Sequence, residues 1–129
     1  MSPQKEFLEL LVAVAEENCK LDSPISLKEL SDENSLYAEA NGAVTETAYY
    51  GKGTVVMMPV LFLCRNADQA RCMEQLEEIC HYFQRLKTYP QGNSFSWLDT
   101  SIASGPSKIG RDEDGVYHYS CILNNKIYY

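Results

Sequence analysis

The longest apolar run of the chain lies between Gly53 and Arg65 and reads Thr-Val-Val-Met-Met-Pro-Val-Leu-Phe-Leu-Cys over residues 54–64. Its β-branched and aromatic residues predict a strand, and the run is too short to cross a bilayer as a helix. Odd and even positions are both apolar, so we expect both faces of this strand to be covered. Pro59 has no N–H for a ladder hydrogen bond, which predicts a bulge or a sheet edge at that point.

Two segments show apolar residues at helical spacing. Ser2 and Pro3 are typical of an N-cap and a first helical residue, and the periodicity extends to about Asn18. A second helix is predicted from Ala67 to Leu86, with Asn66 available as its N-cap. Its apolar stripe consists of Met73, Leu76, Ile79, Cys80, Phe83 and Leu86. A single stripe of this kind predicts a helix that packs one face on a sheet.

Shorter strands are predicted between the first helix and the apolar run. Leu36–Ala40 and Val44–Tyr50 are the candidates, and Asn41-Gly42 between them is a strong hairpin signal. Upstream of them, the connector from Leu21 to Asn34 contains Ser26-Leu27-Lys28-Glu29, which fits a capping box and predicts a short helical turn.

The last third of the chain is rich in strand signals. A strand is predicted from about Ser94 to Ile102, followed by a loop at Ala103–Ser107 and a charged turn at Arg111–Gly115. The final strand alternates apolar and polar residues, which predicts one dry and one wetter face. Its dry side consists of Tyr117, Tyr119, Cys121 and Leu123.

These elements predict one α+β domain over residues 1–129, with a mostly antiparallel sheet and two main helices packed on one of its faces. If the helices cover only one face, the apolar run has a second face that must meet another chain. The main functional inference from the pattern of residues is therefore that another chain covers the second face of this strand.

The net charge and the cysteine content indicate which classes of protein the chain can belong to. The formal net charge of −7 argues against a nucleic-acid-binding surface, because phosphate contacts need clustered Lys and Arg. The chain has five cysteines, an odd number, and no Cys-x-x-Cys, which favours buried free thiols. No signal peptide is recognisable, so we expect the protein in a reducing cytoplasm. No apolar run is long enough for a transmembrane helix.

Two patterns have a superficial likeness to ligand-binding loops. Gly105–Gly110 has the glycine spacing of a phosphate loop, but Arg111 and Asp112 stand where Lys and Ser or Thr are required. Asp112 and Asp114 begin like a calcium loop, but no glutamate completes it. We therefore expect no cofactor and no metal.

Cysteine catalysis is the remaining chemical candidate. Only folding could bring Cys64 or Cys80 to His118, one of the two histidines in the chain. A thiol set in an apolar pattern is usually inert, because burial disfavours the thiolate. We therefore expect no catalytic residue and no enzyme activity.

The order of the motifs resembles a family of phage proteins. The relevant parts are the N-terminal helix, the hairpin with Asn41-Gly42, the strand Val60–Asn66, the helix Ala67–Leu86, the segment Asp112–Leu123 and the terminal Tyr128-Tyr129. Together they resemble the minor capsid or tail-terminator (tail completion) proteins of long-tailed bacteriophages and of prophages of Gram-positive bacteria. The resemblance spans residues 7–129, although the connector 21–34 has no counterpart in it.

The resemblance implies a structural role in the virion, with assembly in the cytoplasm of the host bacterium. Such proteins form a ring, usually a hexamer, on the last disc of the tail tube. The ring stops polymerisation of the tube protein and docks the head-completion or connector protein, while DNA only passes through the lumen and no membrane is involved. An acidic lumen would let DNA slide without sticking.

These expectations assign two surfaces. Subunit contacts are expected from one face of the apolar strand and from nearby tyrosines, namely Val56, Met58, Val60, Phe62, Tyr49 and Tyr50. Docking of the next component is expected from Arg111, Asp112, Glu113 and Asp114. The alternative is an acidic protein-binding module that mimics DNA or inhibits a basic partner, and a small cysteine-dependent enzyme comes third.

Overall fold

The computed structural model describes residues 2–21, 24–27, 35–40, 42–49, 53–111 and 115–129, with the backbone alone for residues 46–49. The elements in chain order are α1 (Pro3–Asn18), β1 (Ile25–Ser26), β2 (Ser35–Ala40), β3 (Val44–Tyr49), β4 (Gly53–Asn66), α2 (Gln69–Arg85), β5 (Ser96–Arg111) and β6 (Tyr117–Tyr128). The described strands form one sheet in the order β1-β2-β4-β6-β5, and β3 also pairs with β4. Every pairing is antiparallel except that of β1 with β2, so the predicted α+β fold is confirmed.

Both helices pack on one face of the sheet, which we call the covered face. Phe7 and Leu11 of α1 and Leu76, Ile79 and Phe83 of α2 are fully buried in one hydrophobic cluster. The strand members of that cluster include Val56, Met58, Val60, Phe62 and Cys64 of β4 and Tyr119, Cys121, Leu123 and Ile127 of β6. Burying one large apolar side chain contributes about 1.5–3 kcal/mol, so this face provides most of the stability of the fold.

The two helices begin at different kinds of cap. Ser2 caps α1 as predicted, and its Oγ accepts a hydrogen bond from the N–H of Lys5 at 3.5 Å. The cap of α2 is Asp68, whose Oδ1 accepts from the N–H of Ala70 at 3.0 Å. The prediction that Asn66 caps α2 is wrong, because Asn66 is the last residue of β4 and its side chain accepts from the N–H of Asp68.

The predicted hairpin at Asn41-Gly42 is wrong. Ala40 at the end of β2 pairs with Val60, and Val44 at the start of β3 pairs with Met57. Both strands therefore run antiparallel to β4 along the same side, one after the other, whereas a hairpin would reverse the second strand.

Pro59 lies where this side of the sheet passes from β2 to β3. The pairs nearest to it are Ala40 with Val60 and Val44 with Met57, so neither neighbouring strand needs a ladder hydrogen bond from Pro59. This local break explains how a proline is tolerated in the central strand of the sheet.

The predicted loop at Ala103–Ser107 is also wrong. β5 pairs with β6 from Ser96 to Arg111, and its register shifts at four places along the way. The Gly-Pro-Ser composition that predicted a loop instead reflects bulges in a strand at the edge of the sheet, where proline is tolerated.

Two further predicted features fall partly outside the described residues. Ser26 belongs to β1 and pairs with Tyr37, while Lys28 and Glu29 of the predicted helical turn are not described. Likewise, Arg111 is described but the next three residues of the charged turn are not.

A carboxylate joins α1 to the segment that leads into β5. Glu6 accepts hydrogen bonds from the N–H of Ser94 at 3.1 Å, the Oγ of Ser94 at 2.9 Å and the N–H of Asn93 at 2.6 Å. The bonds from Ser94 and Asn93 favour the charged form and hold the pKa of Glu6 below its ordinary value.

A buried polar network crosses the covered face. Asn125 is fully buried, and its Oδ1 accepts from the Oγ1 of Thr100 at 2.8 Å. Its Nδ2 donates to the carbonyl oxygens of Met58 at 3.0 Å and Leu123 at 3.2 Å. The Oγ1 of Thr100 in turn accepts from the Nε1 of Trp97 at 2.8 Å. The network links β5, β6 and β4 inside the core and supports their relative register.

We expect Asn125→Ala to lower the free energy of unfolding by about 1–3 kcal/mol, because it leaves buried hydrogen-bonding groups without their partner. The matched control is Asn124→Ala, one residue away and on the opposite face of β6, with an expected change below about 0.5 kcal/mol. Urea denaturation of both variants measures the difference. Equal losses in the two variants would contradict the structural role assigned to the buried network.

Candidate protein-interaction surface

The face of the sheet opposite the helices, which we call the open face, carries an apolar column along β4. Alternate residues of a strand point to opposite sides, so Met57, Pro59, Leu61 and Leu63 point away from the helices. All four are half-buried, and none belongs to the hydrophobic cluster that the described residues form. In the described part of the chain, therefore, no helix covers this column.

Neighbouring strands extend the open face on both sides of this column. Residues that pair directly across antiparallel strands share a face, so Leu61 lies between Glu39 and Ile122, and Val44 lies beside Met57. Val44 is 64% exposed, which makes it the most exposed large apolar side chain described. The open face comprises Tyr37 and Glu39 of β2, Val44 of β3, Met57, Pro59, Leu61 and Leu63 of β4, and Ser120, Ile122, Asn124 and Lys126 of β6.

The sequence assigned the wrong face of β4 to subunit contacts. The residues expected there are Val56, Met58, Val60 and Phe62, and each is at most 2% exposed. They pack against the helices of the same chain, so a second subunit could reach them only if the helices left the sheet. This prediction is corrected: the side chains of β4 that another chain can reach are those of the open face.

One residue of the apolar run favours the correct face. Arg65 is odd-numbered, like Leu61 and Leu63, whereas the even-numbered residues from Val56 to Cys64 are all apolar and the next one, Asn66, is uncharged. A charged residue at the end of a column indicates the wetter side of a strand. This signal is weak, because the odd-numbered and the even-numbered residues of the run are both apolar over most of its length. The sequence therefore did not indicate which of the two sets the helices cover.

The other expected contact residues remain predictions. The backbone of Tyr49 pairs with Gly53 at the end of β3, but its side chain and the whole of Tyr50 lie outside what the structure describes. Arg111 is exposed at the end of β5, and its guanidinium carbon lies 5.6 Å from the centre of the Tyr117 ring. Asp112, Glu113 and Asp114 are not described.

The sheet keeps the candidate cysteine and histidine residues apart. Cys64 is buried on the covered face, and Cys80 of α2 packs into the same cluster. His118 pairs with Arg65, next to the pair of Cys64 with Tyr119, and therefore points to the open face. The fold does not assemble the cysteine–histidine pair that the sequence left open.

Burial also disfavours reactive thiolates. All five cysteines are free and buried. Burial, with the nearby Glu78 carboxylate, raises the pKa of Cys19 to about 11, and burial raises the pKa of Cys72. The hydrogen bond shared with Cys80, together with burial, raises the pKa of Cys121 far above its ordinary value. These three thiols are protonated at neutral pH and are poor nucleophiles.

A concave surface lies on the outer side of α2. This groove of about 550 Å³ is lined by Asn18, Glu74, Glu77, Glu78, His81, Tyr82, Arg85 and Leu86. One glutamate, Glu78, already accepts a hydrogen bond from the N–H of Lys20 at 2.6 Å. Three carboxylates against two basic side chains give the groove a modest acidic character.

Within the described residues, no group of three or more His, Cys, Asp or Glu side chains is arranged to hold a metal ion. None of the described helices is long and apolar enough to span a membrane.

No protein-family model matches the chain, and no curated protein matches it either. The resemblance to tail-terminator proteins therefore stays a prediction that rests on the motifs quoted above.

We expect Leu61→Glu, on the open face, to lower the free energy of unfolding by less than about 1 kcal/mol, because the new carboxylate can reach water. Leu123→Glu, on the covered face, should cost more than about 4 kcal/mol or prevent folding, because it buries an unpaired charge. Urea denaturation and circular dichroism measure both effects. A folded Leu61→Glu variant should also bind less of an apolar fluorescent dye than the unmodified chain. A loss of stability in Leu61→Glu as large as that of a core variant would show that the open face is buried.

Proposed function

We propose that the chain is a structural subunit of a phage tail, a ring-forming terminator that caps the tail tube and docks it to the head-completion protein. The observation that carries the proposal is the apolar open face. Leu61, Leu63 and Ile122 lie at the centre of this face. Covering them with another protein lowers the free energy, because it removes apolar surface from water. In this proposal the open face contacts the adjacent component of the particle.

The size of the open face suits a protein partner. Because β2 and β3 lie end to end, the open face is three strands wide, and at a strand spacing of about 4.8 Å and a length of about 40 Å it measures roughly 580 Å². A standard protein–protein interface removes about 800 Å² from each partner, so the open face is roughly three-quarters of one side of such a contact. A small molecule would cover only a fraction of it.

Two further features support the proposal without depending on the open face. The motif order resembles tail terminators over residues 7–129, apart from the connector 21–34 and the Asn41-Gly42 hairpin, whose two strands pair with β4 instead of with each other. The net charge of −7 suits a ring through which DNA passes without binding.

The test uses purified tail tubes of the phage or prophage whose genome encodes the chain. We expect the unmodified protein to bind at the ends of the tubes, as seen by electron microscopy, and to shorten tubes when it is present during their polymerisation. Leu61→Glu should lose at least roughly tenfold in end binding, because it places a charge in the apolar contact.

The matched control is Ala13→Glu, which introduces the same charge on the exposed side of α1 and should bind the tube ends normally. If the unmodified protein never binds the ends, the proposed function is wrong. If Leu61→Glu and Ala13→Glu bind equally well, the open face is not the contact.

The second candidate function is the acidic protein-binding module, and the groove on α2 is the observation that favours it. Glu74, Glu77 and Glu78 line one concave surface, where they could bind basic side chains of a partner. Salt-sensitive binding of a basic protein that is lost in Glu77→Gln, together with no binding to tube ends, would favour this role over the first.

A further inference from the structure

β5 is the last strand in the order of the sheet, and among the described residues it pairs only with β6. Its other side is therefore a sheet edge, where backbone N–H and C=O groups are available to an added strand. The two halves of this edge differ in whether side chains of the same chain already bind their backbone N–H and C=O groups.

The first half of the edge is sealed by side chains. The Oε1 of Gln91 accepts from the N–H of Trp97 at 3.0 Å, and the Nε2 of Gln91 donates to the C=O of Trp97 at 3.1 Å. The hydroxyl of Tyr89 accepts from the N–H of Thr100 at 3.2 Å. The amide of Gln91 thus takes the place of a paired strand, and no further strand can add here.

The second half of the edge, residues 101–111, has no such seal. In the described parts of the chain, the one side-chain hydrogen bond to its backbone runs from the Oγ of Ser104 to the C=O of Gly105, at 3.5 Å. Most of its side chains are exposed, and Ile109 is 59% exposed. Pro106 has no N–H, so it divides this open edge into two segments of about five residues each.

The bulges in β5 restrict what can pair with it. A long, flat strand does not fit an edge whose register shifts between Ile102 and Ser104, between Ser104 and Ser107, and between Lys108 and Gly110. A short strand fits one of the segments beside Pro106. β3 is such a strand, because it has six residues and, within the described parts of the chain, no strand but β4 pairs with it, so that its outer edge is available there.

From these observations we infer that residues 101–111 of one copy pair with β3 of the next copy, so that the sheet continues from subunit to subunit. β3 and β5 are at opposite sides of the sheet, so the contact is head-to-tail and can close into a ring by rotation. The inference rests on the proposed ring-forming function and specifies the contact between neighbouring subunits. It leaves the open face available for the tail tube.

Hydrogen exchange in dilute and concentrated protein tests the pairing. On association, we expect amides within 101–111 and 44–49 to exchange roughly tenfold more slowly or better, because they gain backbone hydrogen bonds. The amides of Trp97 and Thr100 should not change, because they are already bonded to Gln91 and Tyr89. A chain that stays monomeric at the highest concentration, or that associates without slower exchange in both segments, would overturn the inference.

Cross-linking identifies which edges meet. Ile109→Cys and Val44→Cys place thiols on two exposed positions, while the native cysteines are buried. A short bis-maleimide should join the two variants when they are mixed and should not join Ile109→Cys to itself. Leu98→Cys, which is 45% exposed on the sealed half, is the matched control and should not cross-link to Val44→Cys. Self-cross-linking of Ile109→Cys would indicate a two-fold β5–β5 contact and overturn the head-to-tail arrangement.

The failures of the two proposals are distinguishable. Protein that caps tail tubes without slower exchange at 101–111 would retain the proposed function and overturn the strand pairing. Slower exchange and mixed cross-links in an oligomer that never binds tube ends would support the strand pairing and overturn the tail role.

Discussion

A sheet has two faces, and the two helices that the structure describes cover only one of them. The described core lies between the two helices and the even-numbered residues of β4, with Val60 and Phe62 at its centre. The odd-numbered residues are nearly as apolar, but they lie outside that core. Because removing apolar surface from water is the main driving force for association, this imbalance is the physical basis of the proposed role in assembly.

The sequence was informative wherever one local signal decides the structure. The helical stripe of α2, the cap at Ser2 and the dry face of β6 all depend on short-range periodicity or a single hydrogen bond, and each is confirmed. The predicted hairpin at Asn41-Gly42 was wrong because a local turn signal does not decide whether two strands pair with each other or lie end to end along a third. Only the long-range pairing of Ala40 with Val60 and Val44 with Met57 distinguishes the two arrangements.

The candidate site was predictable as an element but not in its orientation. The apolar run indicated that β4 needs cover on two sides, yet it did not indicate which parity faces the helices. The second half of β5 was also not predicted as a strand, because Gly105 and Pro106 are typical of loops as well as of bulged edge strands. The seal formed by Gln91 and Tyr89 depends on contacts between the segment after α2 and β5, which no local pattern encodes.

The central claim is that the open face is accessible in the isolated chain and covered in the particle. Carbene footprinting with mass spectrometry measures this directly for Met57, Leu61 and Ile122. The account predicts that these residues are labelled in the isolated chain and protected in assembled tails, while Val60 and Phe62 are unlabelled in both. Protection of Leu61 already in the isolated chain, or equal labelling of the open face before and after assembly, would contradict it.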